Sequence, residues 1–396
     1  MQKIIWSFAI AETLAWASYF YIFPAFLPIW EVSLGFSKTS LTGAFTLALL
    51  VSAVSSPVVG RLIDRGYAQV VFTGGAGFAA LLLVLLSQVT ELWQFYAIWA
   101  GLGLAMAGSL YDACFAIITL CLGKEAKRGI THVTLVAGFA GTLSFPSVYV
   151  LNGVLGWRGS LIIFAAIVAL ICVPLMAHGC YHALRSKDVC AKAPLKSIKQ
   201  FLSVLSSFRF WMIGISFLLM SLSHGIIIAH MLSIFHDRGI GPAFAVVLAS
   251  VLGPMQVVGR ALILIFEAHT TTFLICISSL CAMLFAAIAL YFGALAPSLV
   301  ILFVIAQGAG WGVVSIIRPV IIAELLGRQD FGLVAGVLAM TFLIGAAFAP
   351  LLGSFLWESG GYDTVILITA FLPAFSAVFL VLAWRHQSSK PLEKHL

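Results

Sequence analysis

The sequence predicts an all-α integral membrane protein, with twelve transmembrane helices in two pseudo-symmetric six-helix bundles. Three observations predict it. Twelve nearly uncharged apolar stretches each reach the roughly 20 residues that a helix needs to cross about 30 Å of hydrocarbon. Of 396 residues, 62% are hydrophobic and 9% charged, against about 25% charged in an average soluble domain. Finally, helix-end and mid-helix motifs recur at one fixed separation along the chain. Only helices or closed barrels satisfy their backbone inside lipid, and runs this long exclude the alternating ~10-residue strands of a barrel.

The elements follow in order. Span 1, 4–30, comes after Met1-Gln2-Lys3. It is too long for a signal-peptide core and lacks a small-residue cleavage site in a polar flank, so it reads as a retained helix. Spans 2 and 3, 40–61 and 68–88, are separated by a Gly-rich basic turn. Span 4, 92–122, closes on Leu122-Gly123-Lys124, and span 5, 129–155, carries Gly141 and Pro146. Span 6, 158–184, ends with His178 and His182, which suit a membrane interface. The longest polar interval, 185–207, holds Arg185, Lys187, Lys192, Lys196 and Lys199 and is too short for a soluble domain. It reads as a cytoplasmic linker with a short surface helix. Six more spans follow at 209–235, 242–266, 270–293, 297–325, 331–357 and 363–384. The expected organisation is an N-terminal bundle (1–184), the linker (185–207), and a C-terminal bundle with a short cytoplasmic tail (208–396).

Internal similarity supports two halves. Leu326-Gly327-Arg328 repeats Leu122-Gly123-Lys124 at an offset of 204 residues, which also relates Gly141 to Gly345 and Pro146 to Pro350. Two six-helix halves with a midplane site are the organisation of a rocking secondary transporter.

The net charge of +7 is explained by topology. With the N-terminus inside, 16 of the 21 basic residues fall in cytoplasmic segments and 3 outside, which places both termini in the cytoplasm. Nucleic-acid binding is therefore not expected, and the location expected is a bacterial inner membrane. The 7 cysteines mostly lie inside apolar segments without metal spacing and read as core residues. No nucleophile–base pair or metal-spaced cluster appears, so neither an enzyme, a metal nor a cofactor is expected.

The turn after span 2, Gly60-Arg61-Leu62-Ile63-Asp64-Arg65-Gly66, resembles the signature loop of the major facilitator superfamily. Gly60 allows close helix approach, Asp64 can cap a neighbouring helix, and Arg65 supplies the basic residue. The superfamily's further basic residues are missing, since Tyr67-Ala68-Gln69 follows. The resemblance covers the whole chain and implies alternating access driven by an ion or solute gradient.

An ionisable group at membrane depth costs at least about 2.5 kcal/mol and is a functional candidate by default. Glu12 in span 1, Asp112 in span 4, Arg260 in span 8 and Arg318 in span 10 stand out. Glu12, Trp16, Tyr19 and Phe23 fall on one helical stripe, and Gln307, Trp311, Ser315 and Arg318 on another. Such stripes should face a cavity, since lipid would leave their polar groups unpaired. The superfamily lines its cavity with spans 1, 4, 7 and 10, which hold three of the four charges. The bland alternative pairs Asp112 with Arg318 as a structural ion pair. Arg260 resembles an arginine that the monocarboxylate and oxalate–formate branches use for anionic substrates, although Ala11-Glu12-Thr13 departs from the monocarboxylate signature.

Substrate contact is thus expected from Trp16, Tyr19, Tyr111, His224, Arg260, Trp311, Ser315 and Arg318. Proton coupling falls to Glu12 and Asp112, because a carboxyl group at membrane depth can take up and release a proton. His224 adds an imidazole that can shuttle protons or bind ligand, and His230 suits a hydrogen-bonded interior role. The function expected is proton-coupled transport of a small anionic or zwitterionic organic solute by a monomer in the bilayer. One alternative is an exporter of amphipathic drugs or a metallophore. The Gly138-to-Pro146 stretch loosely resembles the Gly-Pro bend of drug antiporters. However, the dense Gly-Pro-Gly-Gly form is missing, and Asp112 stands where proton antiporters commonly carry an arginine. Both weigh against export. A non-transporting sensor or scaffold is the alternative of another class, and it normally needs an appended signalling domain.

Overall fold

The computed structural model describes residues 2–185, 204–266, 269–328 and 331–388. Linker residues 186–203, Glu267 and the tail from 389 lie outside the described residues. Among the described residues every regular element is helical. Eight helices are long and apolar enough to cross a membrane. Three of them, Ser40–Leu86, Ala126–Arg185 and Phe331–Arg385, run through a turn and carry two spans each. With the shorter apolar helix Val247–Ile263, they make up the twelve spans expected from the sequence.

The chain packs into two compact units, Met1–Leu195 with Gln329–Met340 and Lys196–Arg328 with Thr341–Leu396. In the first, three spans are interrupted at membrane depth. Span 1 is divided into Gln2–Tyr19 and Ile22–Leu34. Pro24 has no N–H to offer the Phe20 carbonyl, so the backbone loosens ahead of it, and Tyr21 N reaches back to Trp16 O at 2.9 Å. Span 4 is divided at Leu110, whose backbone is extended (φ −105°, ψ −166°) directly after Gly108-Ser109. A Gly/Ser pair is a usual seat of a sharp helix kink. Span 5 is divided at Gly138-Phe139.

These breaks lie against one another. Ser144 Oγ donates to Ala17 O at 2.9 Å, tying span 5 to span 1. Gly141 lies beside the Tyr21 ring, where an added Cβ would sit 3.6 Å from the aromatic edge. Spans 2 and 4 approach so closely that a Cβ on Gly103 would collide with the Ala48 carbonyl. Small residues at such crossings let helices pack where lipid removes the hydrophobic drive for association.

In the second unit the equivalent helices Phe208–Asp237 and Ser298–Leu325 are continuous, and the stretch from Thr341 of the helix that begins at Phe331 is unbroken until Gly360. Glycine again sets the spacing: Gly259 abuts the Ala309 carbonyl and Gly312 abuts Gln256. At its rim Arg238 pairs with Asp363.

The internal repeat is visible in backbone angles. Gly35 and Gly239, Gly123 and Gly327, and Gly156 and Gly361 all have positive φ, between 54° and 90°. Left-handed backbone is open to glycine at little cost, so each pair marks a turn kept in both halves. Only the second pair was legible as a motif in the sequence.

Candidate functional site

Each unit carries one cluster of the expected residues. In the first, Glu12 is fully buried on span 1. The Trp16 indole and the Cys114 thiol are its neighbouring donors, and Asp112 lies within electrostatic range. Neither Glu12 oxygen nor Trp16 Nε1 completes a hydrogen bond. A fully buried carboxyl group is costly to hold as an ion, so its charge state is sensitive to what surrounds it.

Trp16 packs on Tyr111 at 4.7 Å between ring centroids, and Tyr111 stacks on Phe115 at 4.9 Å. Tyr19 is enclosed, and its hydroxyl meets Ser109 Oγ at 2.8 Å, at the break in span 4. The span 1 stripe therefore divides at the break. Trp16 keeps a half-buried face, whereas Phe23 turns into an aromatic cluster, stacked on Phe45 at 4.4 Å and edge-on to Trp99 at 4.9 Å. Asp112 and Tyr111 begin the helix after the break and are half-buried.

The second unit holds the cationic cluster. Trp311, Ser315 and Arg318 form a half-buried stripe on Ser298–Leu325, flanked by buried Gly312, Val314, Ile317 and Pro319. The Arg318 guanidinium carbon lies 3.8 Å from the centre of the Phe342 ring and 5.7 Å from that of Phe217. His224 stacks flat on Trp311, with centroids 3.6 Å apart and planes 7° apart, and its Nδ1 meets Gln307 Nε2 at 3.2 Å. Ser315 Oγ donates to Gly312 O at 3.1 Å.

Arg260 differs from Arg318. It is 6% exposed, and its Nε donates to Gly312 O at 3.1 Å, with an Nη2 contact to Gln256 Oε1 at 3.5 Å. Its side chain is turned inward onto span 10, behind the stripe that carries Arg318. His230 Nε2 lies 3.2 Å from Pro350 O, in keeping with the hydrogen-bonded role expected of it.

The turn residues also have definite places. Gly66 is left-handed at φ 93°, and Arg65 is exposed. Asp64 accepts from Gly332 N at 2.9 Å and Leu333 N at 2.7 Å, capping the helix that begins at Phe331. Within this unit Gly60 and Gly332 meet backbone to backbone.

Sequence reasoning missed Phe342, Phe217, Ser109 and Cys114. Phe342 and Phe217 stand among 31 phenylalanines, mostly in apolar helices where an aromatic side chain facing lipid looks the same. Ser109 had a usable signal in the Gly-Ser pair preceding Tyr111.

A family model described as Major Facilitator Superfamily matches residues 8–292 and 270–395. Solved structures share the fold at low identity. FucP, a major facilitator superfamily transporter in the outward conformation, is 14% identical with a TM-score of 0.75, covering 95% of this chain and 97% of that one. The human organic anion transporter MFSD10 (TETRAN) is 14% identical with a TM-score of 0.71, covering 95% and 98%. The proton:xylose symporter XylE is 12% identical with a TM-score of 0.68, covering 96% of each chain. No curated protein matches the chain by sequence.

Proposed function

The chain belongs to the major facilitator superfamily and is a secondary transporter; from that premise we propose that it moves a small organic anion or zwitterion by alternating access, coupled to protons. The observation that carries the reading is Arg318, a half-buried cation within span 10, seven residues before the end of Ser298–Leu325 and packed on an aromatic ring. A guanidinium is costly to place inside a membrane span, and an anionic ligand is a natural counter-charge for it. Its planar fork matches a carboxylate with paired donors.

Glu12 and Asp112 are the proton carriers in this reading, supported by the full burial of Glu12. Arg260, turned onto Gly312 O, positions span 10 behind the substrate-facing stripe. Trp16, Tyr111 and Trp311 shape the site, and His224 holds Trp311 flat. Asp64 and Gly60 belong to the turn that caps the helix from Phe331. The protein works as a monomer, with both termini cytoplasmic in a bacterial inner membrane.

A second reading has one observation in its favour: the acids Glu12 and Asp112 lie among the rings of Trp16 and Tyr111, a setting that also suits a lipophilic cation. Counterflow in proteoliposomes separates the two. Exchange of a labelled carboxylate, with none for a lipophilic cation, is expected. The opposite result replaces the anion reading with a drug or metallophore exporter.

A further inference from the structure

The outward side of span 6 changes character before the helix ends. Ile171, Pro174, His178, Tyr181 and Arg185 recur every three or four residues and are all exposed, so they form one stripe. Its inner part is apolar, as a surface against hydrocarbon must be. Its outer part, over the last two turns of Val173–Arg185, is polar and aromatic. The repeat offset of 204 residues relates Pro174 to Val378 and His178 to Leu382, both exposed on span 12. There the stripe stays apolar up to Arg385, the counterpart of Tyr181. Span 6 thus gives up apolar surface one turn deeper than span 12.

Three donors on this outer part are gathered by ring contacts. His178 lies edge-on to the half-buried His182 ring at 4.4 Å, and Tyr181 lies edge-on to the same ring at 5.5 Å. The Arg185 guanidinium carbon sits 4.5 Å from the centre of the Tyr181 ring. Among the described residues the side chains of His178, Tyr181 and Arg185 make no hydrogen bond or ion pair. An imidazole facing hydrocarbon leaves its N–H unpaired, a cost that leucine at the repeat position avoids. An acceptor that reaches this depth removes it.

We propose that this stripe binds one anionic phospholipid of the phosphatidylglycerol kind. The order of groups along the helix matches the order within such a lipid. Acyl chains meet Ile171 and Pro174, an ester carbonyl accepts from His178, and the phosphate accepts from Arg185 and the Tyr181 hydroxyl. His178 and Arg185 are seven residues apart, about 10 Å along the axis. Helical side chains lean toward the N-terminus, which brings the guanidinium back over Tyr181 and shortens that gap. A guanidinium gives a phosphate paired, charge-assisted donors, and beside this cation a net negative headgroup is favoured over a zwitterionic one. A soluble phosphate has nothing to place on Ile171 and Pro174, so the adjoining apolar stripe selects a lipid.

The test is native mass spectrometry of the full chain in detergent, titrated with phosphatidylglycerol, phosphatidylcholine or glycerol phosphate. Phosphatidylglycerol should bind roughly fivefold tighter than phosphatidylcholine, the increment of one basic residue at a membrane surface. Arg185→Gln should erase that preference. His178→Leu should weaken both lipids alike, by roughly fivefold for one lost hydrogen bond, and keep the preference. Arg385→Gln, on the counterpart stripe, should change neither. All three side chains are exposed, so an unaltered melting temperature of the lipid-free protein shows that each variant is folded. Equal binding of the two lipids, a preference that survives Arg185→Gln, or one that Arg385→Gln also removes, overturns the proposal. Lipid binding indifferent to His178→Leu, or glycerol phosphate binding as tightly as phosphatidylglycerol, overturns it too.

Discussion

Removing the Asp64 carboxylate should loosen the first turn of the helix that begins at Phe331. Its two oxygens accept from Gly332 N and Leu333 N at 2.9 and 2.7 Å, lengths typical of charge-assisted bonds. Losing a side-chain cap to alanine costs about 1 kcal/mol, and losing a negative charge at a helix N-terminus up to about 1 kcal/mol more. Asp64→Ala should therefore destabilise the turn by about 2 kcal/mol, or roughly 30-fold in its opening equilibrium. Asp64→Asn keeps a capping oxygen and loses mainly the charge, about 1 kcal/mol or roughly fivefold. Hydrogen–deuterium exchange over a peptide covering residues 331–340 reads this directly, because local opening exposes those amides. Exchange should speed up in the order wild type, Asp64→Asn, Asp64→Ala. Unchanged exchange in Asp64→Ala, or an asparagine as damaging as the alanine, would refute the cap as the source of order.

Three further outcomes are expected. Glu12→Gln should abolish gradient-driven accumulation in proteoliposomes and leave counterflow exchange, since exchange needs no net proton release; undiminished accumulation would remove Glu12 from the coupling path. Arg318→Lys should weaken binding of a carboxylate substrate at least tenfold in calorimetry by losing the paired fork, whereas Arg260→Lys, which forfeits the bond to Gly312 O, should lower turnover more than affinity. Gly103→Val should fail to give monodisperse protein on size exclusion, because its Cβ collides with the Ala48 carbonyl, whereas Gly77→Ala, with nothing within 4 Å, should be neutral or stabilising by about 0.5–1 kcal/mol in a thermal shift.

The spans were legible because hydrocarbon thickness fixes helix length and lipid forbids unpaired backbone, so composition alone marks them. The repeat was legible where glycines close helices, at Gly123 and Gly327. Charges at membrane depth announced Glu12, Asp112, Arg260 and Arg318, because each has a cost that sequence alone displays. Their surroundings were not visible. That Arg260 turns onto Gly312 O while Arg318 lies over Phe342 depends on rotamers and on glycine contacts between helices. The division of span 1 at Phe20-Tyr21 had a local cause in Pro24, but an apolar run conceals such a break. Phe23 therefore went to the Phe45 and Trp99 cluster instead of continuing the polar stripe.

The breaks in spans 1, 4 and 5 have unbroken counterparts in spans 7, 10 and 11. The two halves thus differ in how often their helices are interrupted. A divided helix has freed peptide groups and a soft joint, so it can bend at little cost; an intact one holds side chains at fixed separations. The copy with the joints carries the acids Glu12 and Asp112, and the stiff copy carries the ring-and-arginine face. On the proposed function, the moving part and the measuring part would lie in different halves. Changes that alter which solute is accepted should then accumulate in the second half, and changes that alter how strongly a gradient drives it in the first. Grafting spans 10 and 11 of a relative onto this chain should transfer preference without transferring coupling.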